Sequence, residues 1–313
     1  MLKRLIKRIF FILIGIFLIY VIISNIGFFQ TLVRENNAMI IIDADTGNEM
    51  DDLFAITRAL LDNDIEVIGL SSAQWYNHPD AGDSSVWISQ RLNEEILAKL
   101  NMTNIPHPIG AANPLRFRGE PIPNSSPAAA YIIERSDELP SGEKLNVVVL
   151  GAPTNLASAL IMKPEIAGKV RCYLMGLRYD PMKRVWNKNE FNTRNDLDAM
   201  DYLLNNEQLE MWIMTATTSA ELVFTREEIF GAMEGRQGIW ELLVNRWKTK
   251  FPDQEQWIMW DIAVIEAIIH PDMATVREIY TPEENTHRKV HVYTRINEKA
   301  MKKDYFKTIN KYI

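Results

Sequence analysis

The stretch from Ile41 to Asp52, IIDADTGNEMDD, places Asp43, Asp45, Glu49, Asp51 and Asp52 directly after an apolar run. Ala38 to Ile42 is short and apolar, as a buried strand is, whereas Asp51 to Leu61 sets Leu53, Ile56 and Leu60 at helical spacing. Ile65 to Leu70 is strand-like again, so the acidic stretch is the turn of a βαβ unit. The pattern recurs at Leu145 to Leu150, followed by a helical Asn155 to Ile161, then at Val170 to Met175 and at Met211 to Thr215. Short apolar runs separated by helices predict an α/β fold, a three-layer α/β/α arrangement with a mostly parallel central sheet. In such sheets ligands bind beyond the carboxyl ends of the strands, which is where Asp43 and Asp45 fall. No repeat, low-complexity tract or linker interrupts residues 34–313, which are read as one domain.

Carboxylates at this density repel one another, and a loop of them at a strand end suits a hard divalent cation with oxygen ligands. Asp51 and Asp52 also suit a helix N-terminus, where the dipole favours negative charge. That accounts for the pair but not for Asp43 and Asp45. An EF-hand loop counted from Asp43 reaches Phe54 at its twelfth position, where a Glu is required, so that reading fails. An Asp-nucleophile phosphatase would share the Asp43-Ala-Asp45 pair, but no downstream lysine and second acidic motif can be assigned to complete it.

The rest of the composition narrows the field. The chain has 313 residues, 47% of them apolar and 24% charged, the balance of a globular protein. A net charge of -7 is a poor match for the phosphates of nucleic acid, so that partner is excluded. The single cysteine, Cys172, lies in the apolar run VRCYLMGL and reads as a buried structural thiol.

The first residues differ from the rest. Lys3, Arg4, Lys7 and Arg8 precede an uncharged run from Ile9 to Val33. A helix needs about 20 apolar residues to cross a bilayer, and basic residues favour the cytoplasmic side. The first alanine of the chain is Ala38, so the small-residue site of a cleaved signal peptide is missing. The expectation is a transmembrane signal anchor over residues 1–33, with the domain extracytoplasmic. Without those four basic residues, residues 34–313 carry -11.

Four segments, in order, resemble the nucleoside hydrolase family, calcium-dependent enzymes that cleave the N-glycosidic bond of ribonucleosides. Asp43-Ala-Asp45-Thr-Gly47 with Asp51-Asp52 resembles the family's opening signature. Leu150-Gly-Ala-Pro-Thr154-Asn155, Glu190-Phe191-Asn192 and Trp260-Asp261 resemble three later ones, so the likeness spans about Met39 to Pro271. The resemblance implies that Asp45, Asp52 and Asp261 coordinate Ca2+ through carboxylates and Thr154 through its main-chain carbonyl. It implies Asp45 as the general base toward the attacking water, and Asp51, Glu190 and Asn192 as hydrogen-bonding partners of the ribose hydroxyls. The expected partner is a small-molecule nucleoside, and a homo-oligomer stays open.

Departures from the family pattern shape the remaining expectations. The opening loop is two residues longer than the shortest family pattern, so Glu49 competes with Asp51 for the sugar. Many members carry a histidine general acid where this chain has Trp260. Purine-preferring members are similar in having Trp there, which implies stacking on the base and a preference for purines, with core packing as the competing use of that indole. A second aromatic wall is sought in Trp75, Tyr76 or Trp87, and His78 is placed within reach of the pocket. Glu190 and Asn192 have no obvious packing use, whereas Asn155 fits a helix N-cap as well as a ligand role. No His- and Gly-rich segment occurs between Pro106 and Pro127, and Arg184 stands where a ribose-binding asparagine is expected, with Asn187 or Asn189 as substitutes. Two other readings remain: a calcium- and ribose-binding protein that does not catalyse, and a hydrolase of another ribosylated molecule.

Overall fold

The computed structural model describes residues 38–312 apart from Asp80, Gly82, Asp83 and Arg118, and its first element is the strand Ala38–Ala44 (β1). Six more strands join β1 in one sheet: β2 (Ile65–Ser72), β3 (Leu145–Val149), β4 (Val170–Met175), β7 (Glu210–Met214), β10 (Ala274–Tyr280) and β11 (Lys289–Ile296). Two short ribbons stand apart from it, β5 (Arg178–Asp180) with β6 (Val185–Asn187) and β8 (Val223–Thr225) with β9 (Gln256–Ile258). The sheet order is β10-β11-β7-β4-β3-β1-β2. β1, β3, β4, β7 and β11 run parallel, and β10 is antiparallel to β11. The mostly parallel sheet expected from the alternating pattern is therefore present.

Period-two side-chain alternation divides the core between the two faces of the sheet. Ile40, Ile42 and Val148 pack with the helices Asp51–Leu60, Ile239–Lys250, Trp260–Ile269 and Glu298–Ile309. Ile41, Val147 and Val149 pack the other way, against Pro127–Glu138, Thr154–Met162 and Leu197–Asn205. Cys172 is fully buried on this second side, and burial pushes its thiol up to about 12, as befits a structural residue. Met39–Ile313 forms one compact unit. The apolar run from Ile9 to Val33 lies outside the described residues, and among those described no helix is long and apolar enough to cross a membrane.

One buried ion cluster fixes the helices that carry the acidic residues. Arg58 is fully buried, and its Nε donates to Glu266 Oε1 at 2.7 Å and its Nη2 to Asp304 Oδ2 at 2.8 Å. Its Nη1 donates to Asp62, and His270 Nε2 lies 3.0 Å from the same Asp304 oxygen. The guanidinium thus ties Asp51–Leu60 to Trp260–Ile269 and Glu298–Ile309, aligning the two helix N-termini that bear Asp51, Asp52 and Asp261. Removing one partner of such a cluster leaves buried charge uncompensated, at a cost of about 3–5 kcal/mol. Arg58→Ala is accordingly expected to lower unfolding free energy by about that amount in urea titration, and a loss below about 1 kcal/mol, the scale of an exposed pair, contradicts this role.

Candidate active site

β1 ends at Ala44 and the next helix begins at Asp51, so the acidic loop begins at a strand's carboxyl end. Asp43 points into the scaffold: its Oδ1 accepts from Ser71 Oγ at 2.7 Å and from Asn155 Nδ2 at 2.9 Å. Its carbonyl accepts from Leu150 N at 2.8 Å, which joins β1 to the end of β3. Asn155 is not a helix N-cap. It is the second residue of Thr154–Met162, and its amide bridges Asp43, Ser72 and Ala111.

The loop after Asp45 is clamped from outside. Thr46 Oγ1 donates to Asn93 at 2.6 Å, Gly47 N donates to Ser89 Oγ at 3.2 Å, and the Gly47 carbonyl accepts from Arg246 and Lys250. A Cβ on Gly47 would lie 2.8 Å from Ile88 Cγ2 and 3.1 Å from Trp75 Nε1, so glycine is required by space. Trp75 is buried behind this loop, with Nε1 donating to Ser89. It supports the loop instead of walling the pocket.

A cavity of about 140 Å³ opens over the loop. Asp45, Glu49, Asp51, Asp52, Glu190 and Asp261 all line it. Asp51, Asp52 and Asp261 each offer a carboxylate oxygen within 4.8 Å of the others, close enough for one cation to span. Asp51 Oδ2 also accepts from Asp261 N at 3.2 Å, which locks the two helix N-termini together. Asp45 Oδ2 and Asp52 Oδ1 are buried without a hydrogen-bonding partner. Buried carboxylate oxygens left this way are costly, and a divalent cation with oxygen ligands is the group that fits them.

The electrostatics agree with that fit. Burial, and behind it the charges of Asp52, Glu49 and Asp51, hold Asp45 well above the usual carboxylate range. Burial also pushes Glu49 and Asp51 up to about 8 and Asp52 to about 7, with neighbouring carboxylates adding to each shift. Asp261 is raised well above the ordinary range by burial and then by Asp52. These groups bind protons in the folded chain that they release when unfolded.

The opposite wall is built from the later segments. Glu190 caps the helix Phe191–Asn195, accepting from Asn192 N at 3.0 Å and Thr193 N at 2.9 Å. Asn192 Nδ2 donates to the carbonyls of Leu150 and Met175, at the ends of β3 and β4. Both side chains therefore hold the wall together as well as facing the cavity, a packing use that the sequence did not reveal. Trp260 is half-buried, lines the cavity and also packs against the core, so the stacking and packing roles coexist. Glu49 and Trp260 line the cavity together, and the indole tempers the rise of the Glu49 carboxyl, which places the lengthened loop beside it.

The second aromatic lining the cavity is Phe191, not Tyr76 or Trp87. Trp87 is exposed, and Tyr76 lies under Arg116 with 5.9 Å between the guanidinium carbon and the ring centroid. His78 does not line the cavity; it packs edge-on behind it, 6.3 Å from Phe191 and 5.5 Å from Trp75 between ring centroids. Arg184, Asn187 and Asn189 do not line the cavity; Arg184 borders a separate surface cavity with Trp186 and Tyr280. Thr154 is buried, its hydroxyl donating to Asp196 at 2.6 Å, so any part it takes at the cavity falls to its main chain. Arg178 and Asn48 line the cavity and were not anticipated.

The sequence profile of the inosine-uridine preferring nucleoside hydrolases matches residues 40–304. The chain belongs to that family. It is an N-glycosyl hydrolase of nucleosides, and the four segments read from its sequence meet at one cavity or directly behind it. The fold is similar to that of an inosine-guanosine nucleoside hydrolase, at 17% identity and a TM-score of 0.70, covering 88% of this chain and 99% of that one. It is also similar to a purine-preferring ribonucleoside hydrolase from Gardnerella vaginalis, at 16% identity and a TM-score of 0.62, covering 87% and 98%. An inosine-uridine preferring hydrolase from Bacillus anthracis gives 18% identity and a TM-score of 0.62, covering 88% and 99%. No curated protein matches the chain.

Two measurements test this hydrolase's site. With carboxyl pKa values raised in the folded state, chelator-treated protein is most stable below about pH 4 as far as these groups are concerned, and loses that contribution as pH rises toward about 8. Added divalent cation should raise the melting temperature strongly at pH 8 and little at pH 5; an equal gain at both is the contrary result. Gly151 is the second probe, since a Cβ there would lie 2.9 Å from both Asp45 N and Asp45 Cβ. Gly151→Ala is expected to displace Asp45 and weaken cation binding in calorimetry, whereas unchanged binding would show that the contact does not hold Asp45 in place.

Proposed function

We propose that the enzyme carries out calcium-dependent hydrolysis of purine ribonucleosides to free base and ribose. The observation that carries this reading is the pair of partnerless buried oxygens on Asp45 and Asp52, beside Asp261 in a cavity walled by Trp260. Asp45, Asp52 and Asp261 would hold the ion through carboxylates, and Thr154 through its main-chain carbonyl. When bound, calcium supplies positive charge that offsets the carboxylates and gathers oxygen ligands about one point.

The chain's own residues supply the remaining steps. Asp45 takes a proton from the water that attacks C1′ of the sugar. Asp51, Glu190 and Asn192 hold the ribose hydroxyls and orient C1′ toward that water, supporting the oxocarbenium-like transition state of glycosidic cleavage. The C1′–N bond breaks, and its electron pair leaves with the base. Trp260 stacks on the base, and a two-ring purine covers more of the indole than a pyrimidine does. The uncharged run from Ile9 to Val33, preceded by four basic residues, supports an anchored enzyme with this domain beyond the membrane.

Residues 34–313 supplied with calcium are expected to release base from inosine, adenosine and guanosine faster than from uridine, measured by chromatography of the free base. Bound calcium with no release from any of the four contradicts the substrate assignment. Asp45→Asn is expected to lower kcat by about 10² to 10⁴-fold, the usual contribution of a general base. Near-full turnover in that variant would remove Asp45 from the role.

A further inference from the structure

Among the described residues lining the cavity, Arg178 is the one basic side chain, set among six carboxylates. It is exposed, and its guanidinium makes no hydrogen bond or ion pair with them or with any other described residue. A cation that stays unpaired beside so many anions is held away from them by its backbone. Leu177, just before it, is fully buried and has φ of 60°, a conformation strongly disfavoured for a bulky residue. Three hydrogen bonds keep it there. Its N–H donates to Glu190 Oε2 at 3.3 Å and to Thr193 Oγ1 at 3.0 Å, and its carbonyl accepts from Ala216 N at 2.9 Å. On the other side Tyr179 N donates to Thr217 Oγ1 at 3.2 Å, and Arg178 itself pairs with Asn187 across the β5–β6 ribbon. Backbone strain sustained by surrounding hydrogen bonds is a mark of functional sites. Here it sets a free guanidinium at the wall shared with Glu190, Met175 and Ala216.

We infer that Arg178 binds an anionic group carried on the sugar, so that the substrates of this enzyme include phosphorylated ribonucleosides such as nucleoside 5′-monophosphates. The inference rests on the hydrolase reading above, in which Glu190 and its neighbours face the ribose. An arginine offers five N–H donors in a planar fork that matches phosphate oxygens in pairs, and charge-assisted bonds of this type are the strong ones. The reaction is otherwise unchanged. Water adds at C1′, the base leaves with the C1′–N electron pair and takes up a proton, and ribose 5-phosphate remains with its ester bond intact. No further reactant is required.

Arg178→Met keeps the stem and removes the fork, and Arg178→Lys restores a charge without the planar geometry. Calorimetric titration of the calcium-loaded protein with ribose and with ribose 5-phosphate reads the contact without turnover. The wild type is expected to bind ribose 5-phosphate about tenfold more tightly than ribose; the Met variant should lose that preference and the Lys variant recover part of it. Equal binding of the two sugars by the wild type, or an unchanged preference in the Met variant, overturns the inference. Turnover gives a second arm, through the ratio of kcat/KM for inosine 5′-monophosphate to that for inosine, and for orotidine to uridine. A fall in the first ratio in the Met variant supports a sugar phosphate. A fall in the second ratio alone places the anion on the base and overturns the assignment. Absence of base release from every compound refutes the hydrolase reading, while the two sugar titrations still decide what Arg178 binds.

Discussion

Repulsion among Asp45, Glu49, Asp51, Asp52 and Asp261 is the constraint on which the rest of this structure depends. All of them line one cavity, and burial raises the cost of charging every one. The scaffold offsets part of that cost. The helices Asp51–Leu60 and Trp260–Ile269 both begin at the cavity, and helix N-termini favour negative charge. Arg246 and Lys250 contribute from behind the loop, but they spend hydrogen bonds on the Gly47 carbonyl. Two oxygens still lack partners, so the site is arranged for a cation and not merely tolerant of one.

Holding those carboxylates in place explains much of the architecture around them. Asp43 is the strut: Ser71, Asn155 and Leu150 fasten it, and the loop departs from a fixed strand end. Gly47 and Gly151 let neighbouring atoms approach the loop more closely than any side chain permits. Arg58 binds together the helices that bring Asp51 and Asp52 from one end of the sequence and Asp261 from the other. Glu190 and Asn192 do the same for the facing wall, since each satisfies backbone groups as well as lining the cavity.

Much of this was legible in the sequence because it rests on local pattern. The strand-like runs and helical spacings forecast the parallel sheet, and the carboxylates of IIDADTGNEMDD fell at a strand end. Thr154, Glu190, Asn192 and Asp261 were reachable only through resemblance, because nothing local distinguishes a lone Asp in WDIAV from any other helix-start Asp. Phe191, Arg178 and Trp75 were misread or missed for one reason. Their directions are set by contacts distant in sequence: the Glu190 cap, the left-handed Leu177 and the Ser89 hydroxyl, respectively. Asn155 shows the same limit, since its position at a helix start suggested a cap while its amide reaches across to Asp43. Periodicity reports which face a residue occupies, not which tertiary partner claims its polar atoms.

The most direct test of the central claim is a crystal structure grown with calcium, with the ion located by its anomalous signal. The account predicts one calcium ion bound by carboxylate oxygens of Asp45, Asp52 and Asp261 and by the Thr154 carbonyl. A fully occupied crystal with the ion elsewhere, or with those carboxylates satisfied by protons and water alone, would contradict it.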